Sequence, residues 1–198
     1  MNLYILAILC LLVLLNVFLS VTIFAKNRIL KKQNSKLEEF ANWQMIALTD
    51  DLTGIANRTA YHKKIETIEK KIKINSKNNP AILLFDIDNF KMINDTFGHL
   101  EGDKTIQFAA KLLSSLSLKY GYSVYRIGGD EFAVLSENTL EEQVINFLLD
   151  LKNEENKTDN FRFSKGYSII SKNENKAFPK AFSRADEMLY ADKNSKKQ

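Results

Sequence analysis

Four acidic side chains in two short runs are placed to do chemistry. In Asp86-Ile87-Asp88 the carboxylates follow the apolar run Ala81-Ile82-Leu83-Leu84-Phe85, and the two-residue period of a strand puts both acids on one face with Ile87 on the other. In Gly128-Gly129-Asp130-Glu131 two more acids follow paired glycines, a composition suited to a hairpin turn. A carboxylate at the end of a buried strand is costly unless it is paired or binds a cation. If the hairpin lies beside the first strand, three or four carboxylate oxygens converge with backbone carbonyls between them. Hard oxygen donors of that kind suit Mg²⁺ or Mn²⁺ and not zinc. An isolated D-x-D is more often a pair of solvated acids than a metal site, so the surrounding residues have to decide.

Glycine usage bears on that choice. The chain has 198 residues and only seven glycines, about half the average frequency. Gly54, Gly98, Gly102, Gly128 and Gly129 all fall in short motifs near acidic residues. Glycine lets a backbone turn tightly or approach a ligand closely, which fits a nucleotide or phosphate site, although ordinary turns use it in the same way. One Cys and two His are too few for a disulfide framework or a zinc centre, so any metal is held by oxygen. An apolar content of 45% excludes a disordered tail.

The elements that must position these acids follow from periodicity and turn signals. A helix is predicted over 57–75, a turn at Asn78-Asn79-Pro80, a buried strand from Ala81 into Asp88, a short helix at 89–97 and a longer one at 102–117. Two strands follow, Tyr122–Ile127 and Phe132–Ser136, then a helix near 139–152, a strand near 161–170 and a final helix near 177–193. Helices and strands interleave while the Gly-Gly hairpin makes part of the sheet antiparallel, so the class is a mixed sheet with helices packed on it.

The first segment has a different character. Leu3 to Ala25 is 23 residues without a charge, and a helix of that length covers roughly 34 Å, enough to span a bilayer. A cleaved leader would need a basic start and small residues at its end; Met1-Asn2 and Ile23-Phe24-Ala25 supply neither. The net charge of +4 divides unevenly, because residues 1–49 hold five basic side chains (Lys26, Arg28, Lys31, Lys32, Lys36) against Glu38 and Glu39. Basic residues just after the span place the C-terminal part in the cytoplasm. Asn16, inside the span, either pairs with a second helix or is a tolerated polar residue. Residues 26–49 form a connector helix, either a short parallel coiled coil or a plain amphipathic link, in which Phe40 and Trp43 are expected to pack. Lys70, Lys71, Lys73 and Lys77 suit a solvated helix face and not a nucleic-acid patch.

Four blocks, in order over residues 50–198, resemble the GGDEF family of diguanylate cyclases: Asp51-Leu-Thr-Gly-Ile-Ala-Asn-Arg58; Asp86-Ile-Asp-Asn-Phe-Lys-Met-Ile-Asn-Asp95 with Gly98-His99 and Gly102-Asp103; Arg126-Ile-Gly-Gly-Asp-Glu-Phe132; and Ala185-Asp-Glu-Met-Leu-Tyr190. The resemblance implies an α+β fold, a ferredoxin-like palm similar to nucleotidyl cyclases, with a mixed, largely antiparallel sheet flanked by helices, here preceded by a transmembrane helix (1–25) and the connector (26–49). It implies condensation of two GTP into cyclic di-GMP and two pyrophosphates, with the active site formed between two facing domains of a homodimer. A GGDEF domain without activity, serving as a GTP or partner receptor, is the alternative.

By the same resemblance, Asp86, the carbonyl of Ile87, Asp130 and Glu131 hold two Mg²⁺ (or Mn²⁺) per site, and Asp86, Asp130 and Glu131 are catalytic. Asn94 and Asp103 fall where guanine is recognised, and a carboxylate can accept from the guanine N1–H and amino group that adenine does not offer as a pair. Lys91, Lys193 and Lys197 meet phosphates, and Gly128 and Gly129 lend backbone N–H groups to the same anion. His99 is a structural group. The membrane is that of a bacterial cell, spanned once through residues 3–25, and input comes through dimerisation, lipid or an unidentified membrane partner.

Two departures from the family pattern stand out. In Leu189-Tyr-Ala-Asp-Lys-Asn-Ser-Lys-Lys197 the family's Ala is Asp192, its Gly is Lys196 and its Arg is Lys197, and Lys lacks the bidentate fork of Arg. The R-x-x-D of the family's inhibitory product site is replaced by Lys119-Tyr-Gly-Tyr122, so strong inhibition by product is not expected.

Overall fold

In the computed structural model, which describes residues 3–74, 79–158, 161–170 and 176–196, the apolar run at Ala81–Ile87 (β1) is a strand buried at every position. It is buried because it is central. The sheet order is β2-β3-β1-β4, with β2 at Ser123–Arg126, β3 at Glu131–Ser136 and β4 at Phe163–Ile169. All three strand pairings are antiparallel. The mixed character expected from the sequence survives as one isolated parallel bridge between Ala56 and Tyr125.

Strand alternation sorts the core into two clusters. Ala81, Leu83, Phe85 and Ile87 pack with Ile106, Ala109, Ala110 and Leu113 of α4 (His99–Tyr120) and Val144, Phe147 and Leu151 of α5 (Glu141–Glu155). Ile82 and Leu84 pack with Tyr61 and Ile68 of α2 (Arg58–Ile74) and Phe178, Ala181 and Ala185 of α6 (Ala177–Ser195). The sheet is thus a middle layer, and Asp86, in step with Ile82 and Leu84, belongs to the α6 face. A short helix α3 (Phe90–Phe97) joins β1 to α4 through two backbone reversals, Asn89 at φ 58° and Gly98 at φ 82°.

Helix α6 lies very close to β4 at Gly166, where an added Cβ would stand 2.0 Å from the carbonyl oxygen of Ala185 and 2.5 Å from the peptide nitrogen of Leu189. Backbone cannot yield as a side chain can, so Gly166→Ala is expected to destabilise the fold by about 3 kcal/mol, the upper range for overpacking. A melting temperature unchanged from that of the parent chain would refute the close approach.

Residues 3–47 belong to a separate unit. The apolar segment and the connector form one uninterrupted helix, α1 (Leu3–Leu48), in keeping with the absence of Gly and Pro from it. It is the one helix among the described residues long and apolar enough to cross a membrane. Asn16 donates to Leu12 O of its own helix at 3.0 Å, which suits the reading as a tolerated polar residue. Phe40 and Trp43, expected to pack, are 62% and 67% exposed.

Candidate active site

The antiparallel pairing of β1 with β3 puts the end of one acidic run against the start of the other. Asp86 is the register partner of Glu131, and the Ile87 N–H donates to Asp130 O at 3.2 Å. The sheet therefore joins the two motifs that sequence alone could only place in separate elements. Asp86 is 7% exposed, and its Oδ1 accepts from Lys193 Nζ of α6 at 2.7 Å. Burial raises its carboxyl above the ordinary range; the Lys193 bond opposes this, while the charges of Asp130 and Asp88 add to it. For Lys193, burial pulls the ammonium down but the bond to Asp86 outweighs it, so the net shift is upward.

These donors fit a hard divalent cation in type, since Asp86, Asp130, Glu131 and the Ile87 carbonyl offer only oxygen. Among the described residues no three His, Cys, Asp or Glu side chains are grouped to hold a metal. Glu131 is exposed and folds back over the turn, where a Cβ on Gly128 would meet its Oε2 at 2.2 Å. The Gly128 N–H donates to Glu131 O at 3.3 Å, so that amide is already spent within the turn. Gly129 is exposed.

Two residues outside the expected set hold this turn in place. Arg126 donates from Nε and Nη2 to Gly129 O at 3.1 and 2.8 Å, and from Nη1 to both carboxylate oxygens of Asp50 at 3.0 and 3.1 Å. Asp50 Oδ1 also accepts from the Thr53 N–H at 3.0 Å and hydroxyl at 2.6 Å. Burial pushes the Asp50 carboxyl up, but the bonds from Thr53 and Arg126 outweigh it and hold it below its ordinary value. The first motif block starts at Asp51, whereas the fold engages Asp50.

The α3–α4 hairpin carries Asn94 and Asp103, the residues expected to meet the base. A Cβ on Gly102 would stand 2.0 Å from Asn94 Oδ1, so the Asn94 carboxamide lies on the α4 backbone one residue from the exposed Asp103. Lys91 is exposed in the first turn of α3. An open groove of about 670 Å³ beside Asp88 and Asn89 has a mixed lining, with Met92, Phe97, Phe108 and Phe161 alongside Glu101 and Lys104, and does not include Asn94 or Asp103. Lys197 lies outside the described residues.

The side chains at 119–122, where the family's product site would lie, are bonded within the chain. Lys119 Nζ and Tyr120 Oη both donate to Asp150 Oδ2 at 2.7 Å, and the buried Tyr122 shares a 2.6 Å hydrogen bond with the Thr139 hydroxyl. A Tyr held in the core has no carboxylate to offer guanine. Cyclic di-GMP added at low micromolar concentration is therefore expected to leave the initial rate of GTP turnover unchanged, and a steep fall in that rate would contradict this account.

Comparison with known proteins places this geometry. Residues 47–198 match the family described as diguanylate cyclase, GGDEF domain. The chain is 33% identical over 185 residues to the diguanylate cyclase DgcN of Escherichia coli, covering 82% of this chain and 44% of that protein. It is 31% identical over 166 residues to the diguanylate cyclase VdcA of Vibrio cholerae, covering 79% and 47%. It therefore spans less than half the length of either relative. The crystal structure of the GGDEF domain of DgcB from Caulobacter crescentus in complex with c-di-GMP superposes with a TM-score of 0.68 at 26% identity, over 75% of this chain and 91% of that one. A match that begins at residue 47 and runs through both acidic motifs and α6 settles the relationship: the chain belongs to the GGDEF domain family of diguanylate cyclases.

Proposed function

We propose that the chain is a membrane-anchored diguanylate cyclase that condenses two GTP into cyclic di-GMP. The observation that carries this reading is the pairing of Asp86 with Glu131 across the end of β1 and β3, which joins the strand acid to the signature turn at one edge of the α6 face. In each of two steps the 3′-hydroxyl of one GTP attacks the α-phosphorus of the other, a phosphodiester forms, the bond to the β-phosphate oxygen breaks and pyrophosphate leaves. Asp86, Asp130, Glu131 and the Ile87 carbonyl would hold two Mg²⁺ or Mn²⁺, which neutralise triphosphate charge and acidify the attacking hydroxyl when bound.

The chain's own residues do the positioning. Asp103, with Asn94 beside it on the hairpin, accepts from the guanine N1–H and amino group, so ATP is discriminated against by an unpaired carboxylate. Lys91, Lys193 and Lys197 supply cations to the triphosphate. Lys193 balances Asp86 in the free protein and turns to phosphate when that carboxylate is otherwise engaged. Arg126 holds the Gly129 carbonyl and so keeps Asp130 and Glu131 at the tip. Each domain holds one GTP, so the reaction needs two copies face to face, and residues 3–25 anchor each copy in the cytoplasmic membrane with the GGDEF domain (50–198) in the cytoplasm.

The test is direct. The 198-residue chain, purified in detergent micelles with GTP and Mg²⁺, is expected to release one cyclic di-GMP and two pyrophosphates per two GTP consumed, and to leave ATP untouched. GTP binding without product would select the receptor alternative.

A further inference from the structure

Two of the positions at which the chain departs from the family's closing pattern, Asp192 and Lys196, are bonded to each other. They lie one turn apart at the end of α6, with Lys196 Nζ 2.9 Å from Asp192 Oδ2. The same ammonium donates to Phe163 O at 2.6 Å and to Asp88 Oδ2 at 3.0 Å, with Ser164 Oγ at 3.5 Å. An ammonium has three protons, and these neighbours use all of them. Asp192 Oδ2 also accepts the peptide N–H of Lys165 on edge strand β4 at 2.9 Å, so the carboxylate that aims Lys196 is itself tied to the sheet.

The consequence falls on Asp88. Its Oδ2 is taken by Lys196 and its Oδ1 accepts from the Ser164 hydroxyl, while its side chain is only 12% exposed. Asp86, two residues earlier on the same face, receives one bond, from Lys193. The two acids of the D-x-D are thus unequal. A cation arriving at Asp88 would have to displace an ammonium held also by Asp192 and the Phe163 carbonyl, whereas at Asp86 it competes with Lys193 alone.

We propose that Lys196, braced by Asp192, is a positioning residue that withdraws Asp88 from metal binding and commits the divalent cation to Asp86. The role of that cation rests on the proposed cyclase reading; the asymmetry between the carboxylates does not. The lysine at this position, a departure from the family pattern, is then part of how this chain selects its metal ligand.

Direct Mn²⁺ titration of the full chain in detergent, followed by electron paramagnetic resonance without nucleotide, tests this. Lys196→Met is expected to tighten Mn²⁺ binding about tenfold, the order of one charge-assisted pair near a surface. In an Asp88→Asn background the same substitution should change nothing, because its effect runs through Asp88. Lys196→Arg keeps the charge and should retain the parent affinity. Unchanged Mn²⁺ binding in Lys196→Met, or an equal gain with Asp88 already neutral, would overturn the proposal. Lys196→Gly, which restores the family's residue, serves as the second variant if circular dichroism shows Lys196→Met to be misfolded. If the parent chain makes no cyclic di-GMP and the Mn²⁺ coupling is still found, the cyclase reading fails and this one stands.

Discussion

Asp86→Asn is expected to lower cyclic di-GMP formation by about a thousandfold, roughly 4 kcal/mol of transition-state stabilisation, while leaving the melting temperature within a few degrees of the parent. The two readouts separate because of where the carboxylate sits. Asp86 is buried, and burial is the largest influence on it, raising its proton affinity. An amide of the same shape removes that cost of burying a charge. What is lost in return is the bond from Lys193, whose side chain is 39% exposed and can be solvated. The stability terms therefore offset, while the chemistry loses an anionic oxygen at the point where the strand meets the signature turn. Initial rates and a thermal melt on the same preparation check both halves. A variant that melts far below the parent would make Asp86 a structural residue, and one that retains most of its activity would remove it from the proposed metal set.

Arg126→Met is expected to have the largest effect on stability of any single change near the site. The guanidinium donates to Asp50 twice and to Gly129 O twice, and the two side chains of the ion pair are 15% and 22% exposed. Truncation leaves the Asp50 carboxylate bonded to Thr53 and removes the two side-chain donors of the Gly129 carbonyl. Leaving a part-buried charge unpaired costs on the order of 2–4 kcal/mol, which for a chain of this size lowers the melting temperature by roughly 6–12 °C. Activity should fall as well, since the tip that carries Asp130 and Glu131 loses its anchor.

The same pair predicts an acid dependence with a definite sign. Asp50 titrates lower in the folded protein than in the unfolded chain, so the unfolded state takes up the proton first and stability drops as pH falls. The contribution is complete above the ordinary carboxylate value of 3.8 and drains away as pH passes below it through the folded value. Stability curves of the parent and of Arg126→Met should therefore draw together in acid. Parallel curves down to that range would show that the Asp50 pairing does not carry the difference.

How much of this was legible in the sequence follows from the distances involved. The strands and helices came within a few residues of their observed bounds, because periodicity and turn chemistry act over neighbouring positions. The longer helix α4 starts at His99 and ends at Tyr120, beyond the 102–117 expected, since Gly98 reverses the chain in one step and leaves no loop before it. The pairing of Arg126 with Asp50, where the first motif block had pointed to Asp51, was not legible, nor was the assignment of Lys193 to Asp86 or of Lys196 to Asp88. Those bonds join residues 76, 107 and 108 positions apart, and no local pattern constrains them.

By itself the sequence determined which residues can do chemistry here: acids at a strand end and in a Gly-Gly turn, oxygen ligands by default of Cys and His, an apolar segment long enough to span a bilayer, and a basic excess beside it. Composition and short-range spacing suffice for those because residue type and a strand's two-residue period are local. Only the tertiary structure decided how the acids are shared out. The β1–β3 register sets Asp86 against Glu131, and the line of α6 across β4, permitted by the bare backbone at Gly166, delivers Lys193 to one carboxylate and Lys196 to the other. Which of two acids remains open to a cation depends on where a distant helix brings its charges, and packing alone fixes that.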